Sequence, residues 1–321
     1  MADSPTLNDV QTAAEVIAGR VHRTPMLTSA TLAGRCDTPV WLKAELFQRI
    51  GAFKPRGAFN RLHALTPEER ELGTITISAG NHAQALALAA RDEGVDALVL
   101  MPADASPAKV AATRGYGATV DLESADSMEA LERMRAIAAE SGRTIVHPYD
   151  DPLIVAGQGT VGLEIVEEAP DADTVIVPIG GGGLIAGIAT AVTGLRPNAR
   201  VIGVEPELSA AMRTAIDAGH PVPAVPGPTI ADALRSPVAG EIGLEVCRRL
   251  VDDVVLVSED EIREGMRFLY ARAKLACEPG AAVGVAALLA GRLDLRGSQG
   301  VVFVISGGNV SPQLAAEILA G

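Results

Sequence analysis

The residue best placed for covalent chemistry is Lys54, in the segment GAFKPRGAFN from Gly51 to Asn60. Pro55 suits a first helical turn, so Lys54 falls at a helix N-terminus beside the apolar Phe53. Helix dipole and desolvation both lower a lysine's pKa there, enlarging the fraction of neutral amine that can form an imine with a carbonyl. Taken alone, the pattern also describes a surface lysine that precedes a helix. Rivals are few, because Lys43, Lys109 and Lys274 are the only other lysines. Lys43 reads as part of a strand-like run, and Lys109 and Lys274 as members of helices with polar faces.

Three further segments carry chemistry. In TITISAGNHAQALALAA a strand runs through Ser78, Ala79, Gly80 and Asn81 into a helix starting near His82. Backbone amides at such a helix start bind a carboxylate or phosphate, while the plainer reading makes Asn81 an N-cap and His82 structural. In TVIVPIGGGGLIAG four glycines, Gly180 to Gly183, separate a strand from a helix at Leu184. Four glycines are costly in chain entropy, so they imply close backbone approach to a ligand, and a phosphate suits the helix start. Gly181, Gly183 and Ala186 also satisfy a dinucleotide-binding pattern, with Glu205 near the position of a ribose-binding acid, which keeps a nicotinamide oxidoreductase as the competing reading. In VVFVISGGN a strand runs into Ser306, whose hydroxyl would face a ligand crevice unless the segment is a simple turn.

These segments need a scaffold that gathers strand ends. Runs rich in Val, Ile and Thr alternate with Ala- and Leu-rich helical patterns, which predicts an α/β fold of βαβ units with parallel sheets. Strands are expected at Thr74–Ser78, Ala97–Met101, Thr119–Leu122, Thr144–His147, Thr174–Ile179, Arg200–Val204, Asp253–Val257 and Val301–Ser306. Ser106 with Pro107 opens a helix through Arg114, Ser127 precedes another through Ala139, and Pro221 to Pro228 forms a long loop.

With 321 residues the chain has length for about two domains. A net charge of −13 argues against nucleic acid or anionic membrane as partners. The uncharged run Thr174–Leu195 contains Pro178 and the four glycines, so it reads as strand, loop and helix and not as a membrane span. The polar, acidic start carries no signal-peptide pattern, and Cys36, Cys247 and Cys277 form no CxxC pair, as expected in a reducing cytoplasm.

Taken together, Phe-Lys-x-Arg-Gly around Lys54, Ser-x-Gly-Asn-His at 78–82, the tetraglycine at 180–183, EPG at 278–280 and SGGN at 306–309 resemble, in order and over nearly the whole chain, the fold-type II pyridoxal-phosphate enzymes, specifically the serine/threonine dehydratase and serine racemase family. The resemblance implies a two-domain α/β fold, similar to the tryptophan synthase β chain: a discontinuous large domain (1–64 and 148–321) and a small inserted one (68–146). It implies pyridoxal 5'-phosphate held as an imine on Lys54, with Phe53 packed on the ring. Asn81 would hydrogen-bond the phenolic oxygen, Gly180, Gly181, Gly182, Gly183 and Leu184 would bind the phosphate, and Ser306 would face the ring nitrogen. Ser78, Ala79, Gly80, Asn81 and His82 would hold the substrate carboxylate. The implied reaction is removal of the α-proton by the freed lysine, loss of a β-hydroxyl from L-threonine or L-serine, and release of a 2-oxo acid and ammonia. A homodimer or homotetramer is implied as well.

Departures narrow this reading. Family racemases resemble one another in carrying a second serine where this chain has Ala79, so little racemase activity is expected. Of the divalent-metal acids found in racemase and hydroxyaspartate dehydratase relatives, Glu205 matches the first and Ala211 replaces the second, so no tight metal site is expected. Ala52 stands where the family usually has serine. The chain ends soon after SGGN, so no appended regulatory domain is expected.

Overall fold

A computed structural model describes residues 4–321. Ten strands form two sheets: β1 (Met26–Thr28), β2 (Val40–Lys43), β3 (Thr74–Ile77), β4 (Ala97–Pro102), β5 (Thr119–Ser124), β6 (Thr144–Ile145), β7 (Thr174–Pro178), β8 (Arg200–Pro206), β9 (Asp253–Val257) and β10 (Val301–Val304). The larger sheet has the order β1-β2-β10-β7-β8-β9, and the smaller β5-β4-β3-β6. All pairings are parallel except β1 with β2. β7 and β10 are buried at every residue, as their unbroken apolar runs require of strands covered by helices on both faces.

Topology decides where a site can lie. In the larger sheet β7, β8 and β9 run outward in one direction, and β10 returns to the other side of β7. In the smaller, β3, β4 and β5 run outward and β6 returns to the other side of β3. Such reversals leave a crevice beyond the carboxyl ends of the strands. The segments that leave those ends are the tetraglycine after β7, Ser306–Asn309 after β10, Ser78–His82 after β3 and His147–Tyr149 after β6.

Glycines allow the supporting helices to touch backbone to backbone. A Cβ at Gly157 would lie 2.6 Å from the Gly57 Cα, and one at Gly187 2.5 Å from the Gly159 nitrogen. The helix Pro152–Glu168 is thereby pressed against both Pro55–His63, which follows Lys54, and Gly183–Leu195, which follows the tetraglycine. Beneath them lies an ionic cluster. Arg56 donates to both oxygens of Glu45 (2.9 and 2.8 Å) and of Glu164 (2.7 and 2.9 Å).

Lys43 lies in a strand, as expected, and is fully buried, its ammonium paired with Glu164 at 2.7 Å and donating to the Thr24 carbonyl at 2.8 Å. Several local expectations are corrected. Lys274 is not helical, since it follows a short π-helical turn with φ +60. Asp126 and not Ser127 caps the helix Ser127–Ser141, accepting from Met128 and Glu129 amides. Ser106 occupies an N-cap position without a side-chain bond. The strands β6, β7 and β10 stop one or two residues short of the expected ends, where the backbone turns into the crevice. Arg200–Pro206 extends further than expected. The Thr174–Leu195 run is strand, loop and helix. Among the described residues no helix is long and apolar enough to cross a membrane, and the three cysteines are free.

Candidate active site

Lys54 stands at the N-cap position of Pro55–His63. Its Nζ donates 2.8 Å to the Pro148 carbonyl and lies 5.1 Å from the centre of the Phe53 ring. Burial lowers its pKa to about 8 against the opposing pull of Glu278, so a useful fraction is neutral near physiological pH. The chain just before it is fixed by the segment that follows β10: the Phe53 amide donates to the Ser306 carbonyl (3.2 Å), Ala52 bridges Gly307, and the Gly308 amide donates to the Gly51 carbonyl (2.9 Å). Phe53, Lys54 and Ser306 therefore lie together, with Ser306 buried. Just upstream, Ile50 has φ +64, a conformation that costs a β-branched residue about 1–3 kcal/mol. Asn309 holds it there, donating 2.8 Å to the Ile50 carbonyl.

Asn81 is the first residue of the helix Asn81–Glu93, and Gly80 takes the N-cap place that the plainer sequence reading gave to Asn81. The reason lies far along the chain. The Asn81 Nδ2 donates to both oxygens of Glu278 (3.0 and 3.2 Å), and its Oδ1 accepts from Asn309 Nδ2 at 2.8 Å. Gly80 supplies no side-chain cap, which leaves the helix N-terminus open to an anion. Ser78 turns its hydroxyl back to accept from the Gly80 amide (3.2 Å), and Ala79 packs against the small sheet's core. His82 is buried, its Nε2 3.2 Å from the Val146 carbonyl and its Nδ1 without a partner. Desolvation first, then the neighbouring Lys54, push its pKa down to about 3, so the ring is neutral.

The tetraglycine has the same character. Side chains cannot enter it: a Cβ at Gly181 would lie 2.3 Å from the Tyr149 ring, one at Gly182 2.6 Å from Met212, one at Gly183 2.8 Å from the Tyr149 carbonyl, and one at Gly180 3.1 Å from Leu234. Gly182 also has φ +101. The helix that follows begins at Gly183, one residue before the expected Leu184, and Gly182 gives it no side-chain cap.

The segment Val146–Tyr149 links three of these parts. Its carbonyls meet His82 and Lys54, and Tyr149 lies under the tetraglycine while donating to the Val238 carbonyl at 3.1 Å. Sequence reasoning did not single out this strap, nor Glu278 or Asn309 individually; the EPG and SGGN motifs were the only signals that pointed to them. Glu278 is fully desolvated, and burial raises its pKa to about 7 although Asn81 hydrogen-bonds the ionised form.

Glu205 is not part of this assembly. Its carboxylate is buried beneath the helix Ala211–Ala218, accepting from the Met212 and Arg213 amides at 2.9 and 2.8 Å. It is therefore occupied as a helix cap and unable to reach a ribose. Among the described residues no group of three His, Cys, Asp or Glu side chains is arranged to hold a metal ion.

The site thus combines a desolvated amine, an uncapped helix start built of glycine for one anion and a second uncapped helix start for another. That donor set fits a phosphate-bearing aldehyde cofactor together with a substrate carboxylate, as the resemblance implies.

Comparison with known proteins is consistent with this fit. The sequence profile of the pyridoxal-phosphate dependent enzymes matches residues 17–307. The chain is 43% identical over 313 residues to "L-threonine dehydratase catabolic TdcB" of Escherichia coli (strain K12), covering 97% of this chain and 95% of that one. It is 40% identical to the "L-threonine ammonia-lyase" of Thermotoga maritima over 98% of this chain and 78% of that one. Among solved structures, maize serine racemase superimposes with a TM-score of 0.93 at 34% identity, covering 99% and 98% of the two chains. A second serine racemase, from Dictyostelium discoideum, superimposes with a TM-score of 0.91 at 34% identity, covering 96% and 100%.

Proposed function

The chain belongs to the pyridoxal-phosphate dependent enzymes, and on that premise we propose that it is an L-threonine ammonia-lyase, acting also on L-serine, that yields 2-oxobutanoate or pyruvate and ammonia. The observation that carries the reading is the desolvated Lys54 amine, tethered to the Val146–Tyr149 strap that also meets His82 and the tetraglycine at the two uncapped helix starts.

Bound pyridoxal phosphate supplies an aldehyde for imine chemistry and a conjugated ring that accepts the electron pair left when the substrate's Cα–H bond breaks. The remaining work falls to side chains and amides of this chain. Lys54 would hold the cofactor covalently, and its Nζ is the base that would take the substrate's α-proton. Gly180–Gly183 and Leu184 would hold the phosphate through backbone amides and the helix dipole. The open amides at Ser78–His82 would hold the substrate carboxylate. Phe53 would pack on the ring, and one Asn81 N–H would meet the phenolic oxygen. Ser306, a neutral hydroxyl, would serve the ring nitrogen; being no acid, it would not enforce protonation there, which would favour loss of the β-hydroxyl over transamination.

We read residues 1–64 and 148–321 as the large domain and 68–146 as the small one, with the substrate entering between them. The enzyme acts in the cytoplasm as a homodimer or homotetramer, without nucleic acid or membrane partners. The test is direct: protein reconstituted with pyridoxal phosphate and given L-threonine should release 2-oxobutanoate and ammonia in equal amounts. Absence of both, from a protein that binds the cofactor, would reject the substrate assignment.

A further inference from the structure

We infer that Glu278 is a positioning residue that, together with Asn309, locks the Asn81 side-chain amide in one orientation and so fixes the N–H that meets the cofactor. An asparagine amide has two ends of nearly equal shape, and a half-turn exchanges donor for acceptor. Here both ends are forced. At one end is the Glu278 carboxylate, which when ionised only accepts, 3.0 and 3.2 Å from Asn81 Nδ2. At the other is Asn309 Nδ2, which only donates, 2.8 Å from Asn81 Oδ1. The Asn309 amide is itself oriented by the Ile50 carbonyl, an obligate acceptor, at 2.8 Å. Asn309 Nδ2 therefore donates both ways, to Ile50 and to Asn81, and Asn81 Nδ2 donates on to Glu278. Glu278 engages one of the two Nδ2 hydrogens and leaves the other free.

The surroundings are built to keep that carboxylate in place. Glu278 is 3% exposed, and its amide donates to the Gly307 carbonyl at 3.0 Å. A Cβ at Gly307 would lie 2.5 Å from Glu278 Oε1, so the first glycine of SGGN leaves room for the carboxylate. When Glu278 is ionised its bond to Asn81 is charge-assisted and stronger than a neutral one, which makes the preference steep in that state.

The inference rests on the proposed contact of Asn81 with the cofactor, and its test separates the two. In the apoprotein, the Asn81 side-chain amide resonances, identified by their loss in N81A, should shift upfield in E278Q and in N309A; unchanged resonances in both folded variants would overturn the clamp. In protein loaded with pyridoxal phosphate, N81A should alter the visible absorbance band. E278Q should alter it in the same direction, with kcat for L-threonine falling about ten- to hundredfold and KM changing less than about twofold. If N81A changes the band while E278Q and N309A leave both band and kcat at the wild-type level, the inference fails and the Asn81 contact stands. If N81A leaves the band unchanged, that contact is wrong and the inference falls with it. N309A provides the same readouts should E278Q not fold.

Discussion

Lys54 Nζ donates to the carbonyl oxygen of Pro148 at 2.8 Å, joining a residue beside the larger sheet to the chain that leaves the smaller one. Burial denies the amine full solvation, and this desolvation is the physical basis of its lowered pKa of about 8. Only the neutral amine attacks an aldehyde. The rate at which the apoprotein attaches pyridoxal phosphate, followed by the growth of visible absorbance, should rise about tenfold per pH unit below this value and level off above it. A rate still climbing well above pH ~9 would show an ordinary solvated lysine.

Arg56 supports that lysine from two residues away. It is buried against Glu45, which is 0% exposed, and against Glu164, which also binds Lys43. Burial acts to lower its pKa, and the two carboxylates outweigh it and hold the guanidinium charged. Replacing Arg56 with methionine leaves the buried Glu45 carboxylate without a cation, which should cost about 3–5 kcal/mol. Urea unfolding of R56M should show a correspondingly lower midpoint, and a midpoint equal to wild type would refute the role given to the cluster.

Much of the large-scale order is legible in the sequence. The Val-, Ile- and Thr-rich runs mark eight of the ten strands, because a strand buried on both faces has to be apolar along its length. Pro55 marks the helix after Lys54 because proline's missing N–H costs nothing at a first turn. The edge strand Met26–Thr28 is too short to leave such a mark. The buried partners of Lys43 and Asn81 leave no mark in the sequence for one reason: Glu164 and Glu278 lie 121 and 197 residues away, and no local pattern encodes such a contact.

Ala79 bears no proton-transferring group in the loop proposed to hold the substrate carboxylate. With L-serine, the loaded enzyme should therefore form pyruvate with D-serine at a small fraction of that rate, as resolved by chiral chromatography. D-serine appearing at a comparable rate would contradict the assignment of the α-proton transfer to Lys54 alone.

Glu205 already accepts two backbone amides, and Ala211 cannot ligate. Thermal unfolding of the loaded protein should not change on treatment with EDTA or on addition of magnesium. Replacement of Glu205 with alanine should nevertheless lower stability by about 1–2 kcal/mol, through loss of the cap on Ala211–Ala218. A large loss of stability with EDTA would contradict the expectation that no tight cation site lies there.

The most direct measurement compares wild-type protein and K54A, each supplied with pyridoxal phosphate and titrated with L-threonine, following visible absorbance and 2-oxobutanoate in one sample. Wild type should be yellow, and its band should change as 2-oxobutanoate accumulates. K54A should form neither a covalent lysine adduct, read by mass spectrometry after borohydride reduction, nor product. An adduct on another lysine, or turnover retained in K54A, would contradict the assignment of the chemistry to Lys54.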